Sequence, residues 1–304
     1  MRLAHAALAL ALLLPRAAYA AVPVVLTDIP AVQSLAQMVL GDLGRAGALL
    51  DRGADAHDFQ LRPSQRAALQ RADLLFWVGA ELTPWLGRVL DGAAPAGRAV
   101  ELLDAEGTLR REFAEAAAES AAAAEADHDH EGIDPHAWLD PRNAQHWLGL
   151  IAAELAVLDP ANATSYAGNA QAAAARIATL DAELAALLAP LSGRGFVVSH
   201  DGYGYFAARY GLQIAGTLAD GDAAAPGAAH ILQLRAALQS GAVVCAFPEV
   251  QHAPAQLQLL VAETPVRLGA ALDPSGSMQV PGADMYVALL DNLAQNIAAC
   301  LTDG

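Results

Sequence analysis

Short apolar runs alternate along this chain with longer segments of helical periodicity. Pro23–Thr27, Leu74–Val78, Phe196–Ser199 and Val243–Phe247 are brief and apolar, often with β-branched or aromatic residues, as buried strands require. Between them the apolar positions spread to helical spacing. Pro30 to Leu40 predicts a helix stopped by Gly41. Pro63 to Arg71 predicts another, opened by a proline whose missing N–H costs nothing in the first turn. The alternation predicts βαβ units, hence an α/β fold of parallel sheets flanked by helices.

One segment breaks the rhythm. From Asp159-Pro160 to Leu188 the only interruption is Gly168, and Pro190 closes the run. Asp159 is a candidate N-cap and Pro160 a candidate first helical residue. About 30 residues at 1.5 Å each predict a rod of roughly 45 Å. Its place between two βα-type halves predicts a stiff connector, residues 159–190, joining an N-terminal lobe (21–158) to a C-terminal lobe (191–304). A long core helix inside one domain is the alternative. Residues 112–133 differ again: they are Ala- and Glu-rich and contain Asp127-His128-Asp129-His130-Glu131, a frayed helix or loop by composition.

Residues 1–20 predict an export signal. Arg2 and His5 precede an apolar run from Ala6 to Leu14, too short for a membrane span, and Ala18-Tyr19-Ala20 offers small residues at the cleavage positions. The expected location is therefore the periplasm. The formal charge is −16, and every basic side chain is Arg. The signal carries two Arg and no acid, so its removal takes the charge to −18. Such a surface excludes nucleic acid as a partner and tolerates cations. Two cysteines, Cys245 and Cys300, allow one pairing in an oxidising compartment. A cysteine ligand to metal is the alternative, but neither residue has ligand spacing around it.

Three of the nine His sit in informative contexts. His57 follows a Gly-bearing loop and precedes the Pro63 helix. His136 is bracketed by Asp134-Pro135 and Asp140-Pro141, which restrict the backbone on both sides; the second pair also reads as the cap and first residue of a helix. His200 directly follows a predicted strand, where open α/β sheets bind ligands. None of these spacings matches a zinc finger or a helical His pair. His146, His230 and His252 have no such context and read as structural or surface residues.

Five ordered blocks supply the missing specificity: Gly53–Pro63, Ala72–Gly79, Asp134–Pro141, Val197–Gly211 and Leu272-Asp273-Pro274. Together they resemble the zinc-specific substrate-binding proteins of bacterial ABC transporters, a group with manganese-type relatives. The resemblance implies two α/β lobes joined by a rigid helix, with a metal cleft between them. It implies His57, His136 and His200 as ligands to Zn(II), and a disulfide between Cys245 and Cys300. Imidazole donors favour zinc over manganese, which prefers carboxylate. Some relatives carry Glu before the first His, where this chain has Ala56. Asp273 is then the expected fourth ligand, with a water as the other option. His128 and His130 resemble a His-rich loop and are candidates for a weak secondary site. The implied function is high-affinity zinc capture by a monomer, delivery to an ABC permease, and exchange with a periplasmic zinc chaperone.

The rival readings are a manganese-type importer component, a stand-alone zinc chaperone, and a zinc-dependent hydrolase. A hydrolase needs an open coordination site and a general base. Glu249 is the one acid to nominate, and a structural part suits it better; no His-Glu-x-x-His occurs.

Overall fold

The computed structural model describes residues 22–92, 95–113, 132–219 and 226–302. It contains two four-stranded parallel sheets with the same strand order. The first is β2-β1-β3-β4, built from Val25–Thr27 (β1), Ala46–Ala48 (β2), Leu74–Trp77 (β3) and Arg98–Glu101 (β4). The second is β6-β5-β7-β8, built from Gly195–Val198 (β5), Gln213–Thr217 (β6), Val243–Phe247 (β7) and Arg267–Leu268 (β8). In each sheet the chain steps from a central strand to one neighbour and then returns to the other side. This creates a crevice beyond the carboxyl ends of β1 and β3, and another beyond β5 and β7.

The four predicted strands are those central strands, to within two residues at each end. The edge strands carry little signal. Two residues of β4 are exposed and β6 is only half-buried, so neither reads as an apolar run. Helix α1 (Pro30–Leu40) has its expected bounds and ends at Gly41, where φ is +56°. Helix α2 (Pro63–Leu69) starts at its proline, and the Gln65 side chain accepts from the Arg62 N–H at 2.7 Å. Helix α3 spans Pro84–Gly92. Helix α4 (Pro141–Leu158) is capped by Asp140, whose carboxylate accepts from the Arg142 N–H at 2.9 Å.

The long helix α5 covers Ala163–Leu188, 26 residues, or roughly 39 Å. It starts later than expected. A single 3-10 turn, Pro160–Asn162, comes first. The Asp159 carboxylate makes no cap there; it accepts from Asn162 Nδ2 at 2.6 Å and Tyr166 OH at 2.8 Å. Beyond it lie α6 (Gly204–Tyr210), α7 (Ala228–Gln239), α8 (Ala255–Val261) and α9 (Met285–Thr302). Helix α5 packs on α1 and α4 from the first half and on α6 and α9 from the second. Its Tyr166, Ile177 and Leu188 share one apolar core with Leu35, Phe196 and Leu289. It is thus both connector and core helix, and the two sequence readings merge.

The C-terminal segment laces back across the first half. Tyr286 OH donates to the Trp138 carbonyl at 2.6 Å, Trp138 Nε1 donates to the Pro274 carbonyl at 2.7 Å, and Ser34 Oγ donates to the Gly282 carbonyl at 2.6 Å. A disulfide joins Cys245 on β7 to Cys300 on α9, closing 55 residues. Replacing both cysteines by Ala is expected to lower the unfolding free energy by about 4 kcal/mol through loop-closure entropy, and a loss below about 1 kcal/mol in denaturant melts would contradict this.

Candidate metal centre

His57 lies in the loop between β2 and α2. Gly53, at φ +72°, turns that loop, and its N–H donates to the Ser277 carbonyl at 3.2 Å. Trp85 Nε1 donates to the Ala56 carbonyl at 2.7 Å, and Asp55 Oδ1 accepts from the His57 N–H at 2.9 Å. The peptide unit that joins Ala56 to His57 is therefore fixed at both its carbonyl and its N–H.

His136 precedes a short 3-10 turn, Ala137–Leu139. Asp134 Oδ1 accepts twice from it, from the backbone N–H at 2.9 Å and from Nδ1 at 2.8 Å. His200 follows β5 at its carboxyl end. Its Nδ1 donates to Glu249 Oε1 at 2.7 Å, and the same oxygen accepts from Tyr203 OH at 3.0 Å. Each carboxylate takes the Nδ1 proton and so assigns the tautomer that leaves Nε2 as a lone-pair donor. The two Nε2 atoms face one another at 3.2 Å. His57 completes the group, its ring centroid 5.4 Å from that of His136 and 5.8 Å from that of His200. Ligand atoms of the three all lie within 4.8 Å of one another.

Space in front of the donors is kept by Gly202. A Cβ there would sit on His200 Nε2 and within 2.9 Å of His136 Nε2. The imidazoles open on a cavity of about 30 Å³, lined also by Asp55, Leu82, Trp138, Gln251, His252 and Pro274. That volume accommodates an ion with little more than a water beside it. A set of three imidazole nitrogens suits a borderline cation such as zinc.

Burial keeps two of the donors, His57 and His136, neutral. Burial, reinforced by the neighbouring His136 and His200, pushes His57 down to about 3. Burial also holds His136 well below its ordinary value, followed in importance by His200. Burial raises Asp134 to about 7, against the backbone bond from His136. The His136–Asp134 contact is accordingly a hydrogen bond between a neutral imidazole and its carboxyl partner, with little of an ion pair in it. Burial acts to raise Glu249 too, but His200, His252 and Tyr203 outweigh it and the carboxylate lies below its usual range.

The remaining sequence candidates fall elsewhere. Both Asp273 oxygens accept from loop N–H groups, Oδ1 from Ser277 and Oδ2 from Met278 at 2.9 Å each, and Gln251 Nε2, from the cavity lining, donates to Oδ1 at 3.3 Å. Asp273 does not join the cluster of three His, which among the described residues stands without a carboxylate. The turn-forming role of an Asp before Pro274 accounts for this placement. His128 and His130 lie outside the described residues. His146 and His230 point at the Glu106 and Thr217 carbonyls at 2.8 and 2.9 Å, as structural residues do. His252 is different from its sequence reading: it lines the cleft. Sequence reasoning also missed how Asp134 and Gly202 act. Glu249 was legible only as a structural acid after a strand, and its structural part is to orient His200.

A family model described as "Zinc-uptake complex component A periplasmic" matches residues 25–300. The chain belongs to this family. It is 44% identical to the high-affinity zinc uptake system protein ZnuA of Paracoccus denitrificans, over 93% of each chain. Its fold matches a crystal structure of ZnuA with a TM-score of 0.74 and 28% identity, covering 91% of this chain and 98% of the other. A Pseudomonas aeruginosa substrate-binding protein, FpvC in complex with Mn2+, has a TM-score of 0.77 at 20% identity, with 93% and 99% covered, and shares the fold. Membership in the zinc-uptake family agrees with the resemblance carried by the five sequence blocks.

Two outcomes follow from the geometry. A His held near pH 3 in the folded chain and near 6.5 in the unfolded chain costs nothing above 6.5. Below that, the unfolded state takes up protons that the fold refuses, so stability falls as pH drops toward 3. Asp28 and Asp134, raised to about 7, act in the opposite sense over the same range, because there the fold takes up protons that the unfolded chain does not. The His57 contribution is therefore read by difference: from pH 7 to pH 5, metal-free protein should lose stability relative to His57→Phe in denaturant melts. Identical pH dependence in the two proteins would contradict the assignment. Gly202→Ala should weaken zinc binding by at least about tenfold without removing a ligand, in line with other perturbations around bound metal; calorimetry on a variant with unchanged melting reads this directly.

Proposed function

We propose that this chain captures Zn(II) in the periplasm with high affinity and hands it to the membrane permease of an ABC-type importer. The observation that carries the reading is the convergence of three imidazoles from separate parts of the chain on one small, largely buried cavity. His57 and His136 belong to the N-terminal lobe, taken as residues 21–158, and His200 to the C-terminal lobe, taken as 191–304. Nitrogen donors favour zinc over manganese. The names of relatives in the same family point the same way.

The ligands are His57, His136 and His200. A water occupies the fourth tetrahedral position in this reading, because Asp273 is held by its own loop. Binding from both lobes couples occupancy to cleft geometry, which is what a permease needs in order to tell loaded protein from empty. The acidic segment with His128 and His130 acts as a weak gathering site that exchanges zinc with a chaperone. Its two ends meet at a Glu112–Ile133 bridge, next to Asp134. The protein acts as a monomer and performs no chemistry on its cargo. Glu249, the acid nominated as a general base, is engaged by His200 and Tyr203.

Metal-stripped protein should bind one zinc tightly in chelator competition. His57→Ala, His136→Ala and His200→Ala should each weaken binding by about a hundredfold or more, Glu249→Gln by about 10–100-fold, and Asp273→Asn far less. Retention of tight binding in the His variants would overturn the site. Equal stimulation of the reconstituted permease by empty and loaded protein would overturn the delivery role.

A further inference from the structure

The turn after β7 places two side chains on the cleft. Glu249 reaches inward to His200, and three residues later His252 stands at the mouth. Across the opening, His252 Nε2 lies 3.4 Å from Asp55 Oδ2, and the two side chains are 40% and 31% exposed. Both line the same cavity as the three buried His, and the rings of His252 and His200 are 6.3 Å apart, centroid to centroid. Asp55 is also tied to the inner site, since its other oxygen accepts from the His57 N–H.

From this juxtaposition we infer that Asp55 and His252 form an outer metal station, a two-ligand site for a zinc-class divalent cation through which the ion enters and leaves the inner site. The inference rests on the zinc-capture reading above. Tetrahedral zinc with bonds of about 2.0–2.1 Å sets neighbouring ligand atoms about 3.4 Å apart, and the Nε2 and Oδ2 atoms have that separation. One imidazole and one carboxylate are a donor pair that zinc accepts. With only two protein ligands and open access to water, the station binds weakly and keeps most of the ion's hydration. That is the requirement for a way-point: the ion sheds water in steps, first to Asp55 and His252, then to the buried imidazoles. His57 is adjacent to both stations, through the Asp55 bond on one side and its ring contacts with His136 and His200 on the other.

A way-point lowers the barrier in both directions, so its loss slows uptake and release by similar factors and moves affinity far less than either rate. The test is stopped-flow zinc transfer to and from a chromophoric chelator, using the full mature protein. His252→Ala and Asp55→Asn should each slow both rates by about tenfold, a typical effect of removing a group around bound metal. Asn at position 55 keeps an Oδ1 acceptor for the His57 N–H while removing the ligand oxygen. His252→Asp should recover most of the rate, because it ligates, and His252→Asn should not. Unchanged rates in His252→Ala, or full recovery by His252→Asn, would overturn the inference; the latter would make the pair a hydrogen-bonded latch. Failure of the unaltered protein to bind zinc tightly would instead sink the capture reading.

Discussion

Three imidazole lone pairs have to point at one another in a space from which water is nearly excluded. Everything else at the centre of this molecule answers to that constraint. Protonation of any one ring would place a cation against its neighbours, so the rings must stay neutral, and burial keeps His57 and His136 that way. Neutrality alone does not aim a ring. Asp134 and Glu249 do that by taking the Nδ1 protons of His136 and His200, leaving the Nε2 atoms face to face. Gly202 then supplies the room that a methyl group would fill. The result is a set of donors preorganised for a cation and repelling each other mildly without one.

The fold provides the two surfaces on which those donors stand. Both sheets open their crevices at the carboxyl ends of their central strands, and the second uses its crevice for His200 and Glu249. The first uses the matching place structurally. There Asp28, fully buried, accepts from the Ile29 and Val78 N–H groups at 2.7 Å each and clamps the end of β1 to the end of β3. Burial raises its carboxyl to about 7 against those bonds. The N-terminal donors come instead from loops pinned to their surroundings, through Gly53, Trp85 and Asp134. Helix α5 and the returning C-terminal segment hold the two halves against a common core, so the donors' separation is set by packing over a long lever.

Much of this was legible in the sequence. Central strands are buried on both faces and read as apolar runs, so β1, β3, β5 and β7 could be placed. Edge strands such as β4 and β6 bury too little to leave that trace. Local rules placed Pro30, Gly41, Pro63 and Asp140 correctly; they misplaced the start of α5 because Asp159 has side-chain partners, Asn162 and Tyr166, that local spacing does not reveal. The three His were found by context and resemblance, and the structure brings them together. Asp273 and His252 are placed otherwise than local spacing suggests: the first accepts from the Ser277 and Met278 N–H groups, and the second lines the cleft. Only the path of the Glu249–His252 turn decides that, and no periodicity encodes it.

The central claim is that one zinc is held by three imidazole nitrogens with no protein carboxylate or thiolate in direct contact. X-ray absorption at the zinc edge, on mature protein loaded with one equivalent, tests it most directly. The account predicts imidazole scattering from three rings with nitrogen at about 2.0–2.1 Å and one further light-atom ligand. A spectrum dominated by oxygen, or containing sulfur at about 2.3 Å, would contradict it.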